Sequence, residues 1–240
     1  MFGCQPFASL RPEESRSAVP VKQAIEKIRK EIGPACPSVD EKEIEKRLRR
    51  VLQIAINNHP NAEVRRNLNR LFNDGEIILA YSEIKNMVFF GVFSAADLPK
   101  TLNPGKKKSF YPTMIFDPYM LWCIGTDPEI LGLLVILDHE YRHYQQWLQA
   151  DAEGRKVFQM RYYTGKRPEK FTGIACKKIW QYEKEAYGES CRDVEPGTNT
   201  MGTCLDGEKA DFEDKLLKRL ITGTYQNFTE CHEIWQEQYK

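Results

Sequence analysis

Two histidines four residues apart, with a glutamate directly after the first, are the residues of this chain best suited to chemistry: His139-Glu140-Tyr141-Arg142-His143. On a helix, positions four apart lie on one face, one turn above the other. Two imidazoles so placed can chelate one Zn²⁺, and the carboxylate beside the first can reach a water at the same centre. The competing reading is a pair of core histidines satisfied by hydrogen bonds, with Glu140 and Arg142 solvated. The preceding residues argue against it. Residues 131–137 are apolar on every side, so the helix is already heading into the interior when two histidines, a glutamate and an arginine arrive together. Buried ionisable groups are costly unless they are paired or bound to a metal.

Two histidines do not hold zinc firmly, and a catalytic site usually has three protein ligands and one open position. The segment 176–190 reads as a helix that could supply the third. At helical spacing Cys176, Ile179, Trp180, Glu183, Tyr187 and Ser190 share one stripe, while Lys178, Tyr182, Glu185 and Glu189 share a more polar one. Glu183 sits among apolar neighbours, where a carboxylate needs a strong partner. A zinc ion is such a partner. Glu185 is the alternative ligand, better explained as a solvated charge.

His139-Glu140-x-x-His143 followed by a helix with Glu183-x-x-Ala186-Tyr187 resembles the gluzincin metallopeptidases. That clan includes thermolysin-like enzymes, prenyl-protein endopeptidases and minigluzincins. In several of them the third ligand is the first glutamate of an E-x-x-x-D or E-x-x-A-D/Y pattern, a position that Glu183 matches. Tyr187 stands where the thermolysin pattern has an aspartate that orients a zinc-bound histidine. The resemblance implies an α+β, zincin-like metallopeptidase core: a small, mostly antiparallel sheet, an active-site helix and a third-ligand helix, here with extra N- and C-terminal helices. It also implies an edge strand that pairs with extended substrate.

These residues must be positioned by elements the sequence also outlines. Thr126-Asp-Pro-Glu129 reads as a capping box with proline just inside the start of the active-site helix. Upstream, residues 19–73 predict three helices. Their stripes are Val21, Ile25, Ile28 and Ile32; then Ile44, Leu48, Val51, Leu52 and Ala55; then Val64, Leu68, Leu71 and Phe72. They are expected to pack on the core, the alternative being a propeptide or docking unit. From Glu76 onward, three β-rich runs (77–81, 87–93 and 113–116) predict the sheet. Between the two metal helices, a segment with Tyr162 and Tyr163 could line the cleft. After it come two amphipathic helices, over 207–221 and 224–239. The chain thus divides into an irregular segment (1–18), a helical N-terminal region (19–74) and a zincin-like domain (75–240).

Composition narrows the function. With 35 Lys+Arg against 34 Asp+Glu, no excess of positive charge points to nucleic acid. No stretch approaches the roughly 20 apolar residues of a membrane span. Met1-Phe-Gly-Cys4 resembles the tail of a bacterial lipobox, so membrane attachment is expected only if Cys4 is lipidated. Envelope and cytoplasm both stay open as compartments. Of seven cysteines, Cys191 and Cys204 flank a Gly/Pro/Thr-rich loop that a disulfide would tie down. Cys36 lies in a proline-flanked loop, and Cys123, in an apolar segment, reads as a buried thiol. Residues 103–109 form a basic connector, and Asn227-Phe-Thr229 is a formal glycosylation sequon in a predicted helix.

The function expected is zinc-dependent hydrolysis of peptide bonds in a peptide or protein substrate. His139, His143 and Glu183 would hold Zn²⁺, and Glu140 would act as general base on the metal-activated water. Tyr187, Tyr182 and Tyr144 are candidates to steady the oxyanion or to support a ligand, and Arg142 and Gln146 are expected to make structural or ligand-supporting contacts. Three rivals remain: an inactive zincin-fold structural or adaptor protein, a latent zymogen, and a helical interaction module with coincidental histidines.

Overall fold

The computed structural model describes residues 21–38, 41–79, 91–95, 113–116, 118–158, 173–194 and 231–239. Cys4, the basic connector 103–109, Tyr162 and Tyr163, Cys204, the helix expected over 207–221 and the sequon at Asn227 lie outside these residues.

The three expected N-terminal helices form where their apolar stripes predict: α1 (Val21–Ile32), α2 (Glu41–Asn57) and α3 (Ala62–Asn73). Gly33 ends α1 at φ 75°, a left-handed conformation that costs glycine little. Asn61 caps α3, its side-chain oxygen accepting from the amides of Glu63 and Val64. The stripes are buried against the rest of the chain, with Ile28, Leu48, Leu52 and Leu68 fully covered. An exposed ion pair, Arg29 Nη1 to Asp127 Oδ1 at 2.7 Å, also joins α1 to the central helix. Such a pair is worth less than about 1 kcal/mol, against about 1.5–3 kcal/mol for each buried Ile or Leu. Apolar burial therefore docks these helices, and the same cluster that holds Ile28, Leu52 and Leu68 holds Leu133, Leu134 and Leu137.

Three strands form the sheet: β1 (Ile77–Leu79), β2 (Gly91–Ser94) and β3 (Thr113–Phe116), in the order β1-β3-β2. β2 pairs with β3 antiparallel, with Phe93 opposite Met114. β1 pairs with β3 parallel, with Ile78 opposite Ile115. Among the described residues the sheet is thus mixed, where a mostly antiparallel one was expected. Alternation of apolar residues marks a strand but says nothing of its neighbour's direction, and a parallel partner is reached through a long crossover. Helix dominates the described residues.

After α4 (Pro118–Cys123) comes the central helix α5 (Asp127–Gln149). Its capping box is present: Thr126 Oγ1 accepts from the Glu129 amide, and Glu129 Oε2 accepts from the amides of Thr126 and Gly125, both at 2.9 Å. Every residue from Ile130 to Tyr141 is buried. Helices α1, α2, α3, α6 (Ala152–Phe158) and α7 (Gly173–Asp193) and strand β2 all pack on α5. None of the described helices is long and apolar enough to cross a membrane.

Two disulfides between described residues join distant parts. Cys36 bonds Cys123 across 87 residues, tying the end of α1 to α4. Cys123 is therefore not the plain buried thiol its apolar surroundings suggest; the turn at Cys36, at φ 42°, folds back so that its amide also donates to the Trp122 carbonyl. Cys176 bonds Cys231 beside α8 (His232–Tyr239). There the fully buried Trp235 donates from Nε1 to the Cys176 carbonyl at 3.0 Å. Cys191 is also disulfide-bonded.

Candidate metal centre

Helix α5 carries His139 and His143 one turn apart, and α7 lies antiparallel across them. The contacts set this direction: Tyr187 meets His139, Asp193 meets Arg142, and the Tyr182 carbonyl meets Gln146. Between these points Glu183 faces both histidines. Its Oε2 lies 3.4 Å from His139 Nε2, and its Oε1 lies 3.4 Å from His143 Nε2. The two Nε2 atoms are 3.0 Å apart. The two rings are buried and the Glu183 side chain is only 12 % exposed.

These spacings can be tested against a metal. Ligand atoms on a tetrahedral Zn²⁺ with bonds of ~2.0–2.1 Å lie about 3.3–3.4 Å from one another. The imidazole nitrogens at 3.0 Å, each 3.4 Å from a different oxygen of Glu183, come close to this, and His139, His143 and Glu183 are the one group among the described residues that could hold a metal ion. The donor set of two imidazoles and one carboxylate is one that zinc uses in hydrolases, and it leaves a fourth position open. The electrostatics also ask for a cation. Burial favours a neutral His143, but the Glu183 carboxylate prevails and pushes it up to about 9. Burial likewise opposes charge on Glu183, yet His143 and His139 hold it well below the usual carboxylate range. Without a metal, a proton takes the role of the positive charge between these groups.

Glu140 is buried on the neighbouring face of the same turn. Burial raises its pKa above the ordinary value, against the pull of His139 and His143, and the Phe93 amide of β2 donates to it. A raised carboxylate is the stronger base, as proton abstraction near neutral pH requires. β2 comes this close because Gly91 has no side chain. A Cβ there would stand 2.7 Å from Ile136 Cγ2 and 3.3 Å from Glu140 Cγ.

The three tyrosines part company. The Tyr187 ring lies 3.9 Å from the His139 ring, tilted by 36°. The Tyr182 ring instead stacks on Phe158 at 5.1 Å, with its hydroxyl against Gly154 of α6. Tyr144 packs edge-on to Phe93, in the electrostatic reach of Glu76, Arg70 and Asp74. Of the three, Tyr187 alone has a ring contact with a histidine of the centre. Glu185 is exposed and bonds Gln146 and Gln181, outside the donor set.

Sequence reasoning did not foresee a buried polar chain behind the centre. Arg142 donates to Asp138 Oδ1 at 3.1 Å and to Asp193 Oδ2 at 2.8 Å, and Asn61 also donates to Asp193 Oδ2. The Asn61 amide donates to His59 Nδ1, so the ring proton sits on Nε2 and is given to the Leu134 carbonyl at 3.2 Å. Only the Asp138–Arg142 pair, four apart on one helix, left a signal in the sequence. No protein-family model matches the sequence, and comparison with curated proteins and with solved structures finds no match.

Proposed function

We propose that this chain is a zinc-dependent peptidase of gluzincin type. What supports the reading is the convergence of His139, His143 and Glu183 at zinc-like spacing with Glu140 on the adjoining face. When bound, Zn²⁺ would supply Lewis acidity toward water and a peptide carbonyl. Glu140 takes a proton from the attacking water and delivers it to the leaving amine. The buried setting of Glu140 keeps bulk water from levelling its basicity. β2 stands at one end of the described sheet and runs beside Glu140, so an extended peptide would align along it by backbone pairing.

The test is elemental analysis with a turnover assay. Wild type should carry one zinc per chain and cleave a degenerate peptide library. His143→Ala and Glu183→Ala should lose the metal, and Glu140→Gln should keep it while turnover falls by about 10²–10⁴-fold. A wild type that stays metal-free after zinc incubation and dialysis ends the proposal and leaves the helical-module reading.

A second reading, latency, is favoured by one observation. The Ala95 amide at the end of β2 donates to the Phe158 carbonyl of α6 at 2.8 Å, and the Phe158 ring lies 5.9 Å from His143. A backbone amide just past β2, where an extended substrate would continue, is therefore engaged within the chain. A zinc-loaded wild type that is inert, with turnover appearing in Phe158→Gly, would mark a latent enzyme. Inertness in both would mark the structural or adaptor reading.

A further inference from the structure

Metal-binding histidines are held in place through their far nitrogen, which usually donates to a carboxylate, a backbone carbonyl or water. In this centre the two histidines are held differently. His139 Nδ1 is buried and has no hydrogen-bond partner among the described residues. His143 Nδ1 lies 2.8 Å from Gln146 Oε1. The other end of the Gln146 amide reaches α7: Nε2 donates to the Tyr182 carbonyl at 3.0 Å and to Glu185 Oε2 at 3.3 Å. With acceptors on that side only, the amide can point just one way. Its oxygen must face His143, so His143 carries a proton on Nδ1, which leaves Nε2, the nitrogen facing His139 and Glu183, as the one a metal would take.

The Tyr182 carbonyl belongs to the residue directly before Glu183. A carbonyl inside a helix has a second lone pair beyond the one used in the helix ladder, and Gln146 takes it. One side chain thus fixes the ring of one ligand and the backbone next to another. We propose that Gln146 is a positioning residue of the metal centre, a bracket that sets the spacing between His143 on α5 and Glu183 on α7. This rests on the metal reading above. It needs a neutral amide, since no other side chain of that length both accepts from an imidazole N–H and donates to a carbonyl.

The experiment compares the full-length wild type with Gln146→Met, Gln146→Glu and, as control, Gln181→Met, which removes an exposed amide bonded to Glu185. Three quantities are read: zinc affinity by competition with a chromophoric chelator, the visible spectrum of the Co²⁺-loaded protein, and the thermal midpoint of the metal-free protein. Gln146→Met should lower zinc affinity by about 10–100-fold and alter the Co²⁺ spectrum. Gln146→Glu, which keeps the acceptor for His143, should recover part of that loss, and Gln181→Met should behave as wild type. A purely structural role would lower the midpoint and leave the Co²⁺ spectrum unchanged, which overturns the proposal. Wild-type affinity in Gln146→Met overturns it too, while the metal reading stands. A wild type that binds neither metal overturns both.

Discussion

In the thermolysin pattern that the sequence resembles, the place of Tyr187 is taken by a carboxylate that orients a histidine. Here an aromatic face does the holding, 3.9 Å from the His139 ring. A ring contact resists tilting of the imidazole but leaves Nδ1 without an acceptor among the described residues. Tyr187→Phe should therefore keep zinc affinity within about twofold, and Tyr187→Ala should lower it by about tenfold, both read by chelator competition. If Tyr187→Phe keeps zinc but loses turnover, the hydroxyl acts on the substrate. His139, His143 and Glu183 were legible in the sequence because helical spacing fixes which residues share a face. The choice among Tyr187, Tyr182 and Tyr144 was not, because helix phase gives a face and not the partner opposite it. Gln146 was expected to make a structural or supporting contact, while its partner across the centre, on a helix 36 residues away, was not legible.

The pairing of α5 with β2 carries the candidate base. Gly91 allows it, since an added Cβ would meet Ile136, Phe116 and Glu140 at once, at 2.7, 3.2 and 3.3 Å. The Ile136 methyl is branched from the chain and cannot swing aside like the tip of a long side chain. Gly91→Ala should destabilise the fold by about 1–3 kcal/mol in urea denaturation, the usual range for overpacking. Because the strand or Glu140 must shift, turnover of the zinc-loaded variant should fall further than its folded fraction does. Wild-type turnover would mean that the strand does not set the position of Glu140. Helices α1, α2, α3 and α5 were readable to within a few residues, since each carries a stripe and a capping or stop signal of its own. Strand directions were not, because β1 and β3 pair across intervening chain whose length no local pattern encodes.

At the scale of the molecule, the polar chain from His59 to Asp138 binds the N-terminal helices to α5 and to the end of α7. Burial drives His59 down to about 4. A histidine depressed below its unfolded value of about 6.5 contributes stability above that pH, and the contribution is lost as pH falls from 6.5 through 4. At about 1.4 kcal/mol per pH unit, the full loss is about 3 kcal/mol. Asp138, pushed well above its ordinary value by burial against the pull of Arg142, works in the opposite sense. The difference between wild type and His59→Gln isolates the histidine: the gap in denaturation free energy should change by a few kcal/mol between pH 7 and pH 4. A constant gap would mean that His59 titrates in the folded protein as it does in the unfolded chain. No stretch of sequence announces this chain, because its members come from residues 59–61, 138–142 and 193 and meet only once the helices have packed.

The disulfides, finally, bear on which atoms of the chain could reach a metal ion. Helix α7 presents Glu183 between two disulfide-bonded residues, Cys176 and Cys191, and Cys36–Cys123 closes just ahead of α5. In a newly synthesised chain these sulfurs are thiols. Thiolates are strong zinc ligands that would compete with the two imidazoles and the carboxylate for the ion. On the proposed metal reading, a reduced chain would offer the ion these thiolates as rival ligands, and disulfide bonding withdraws them.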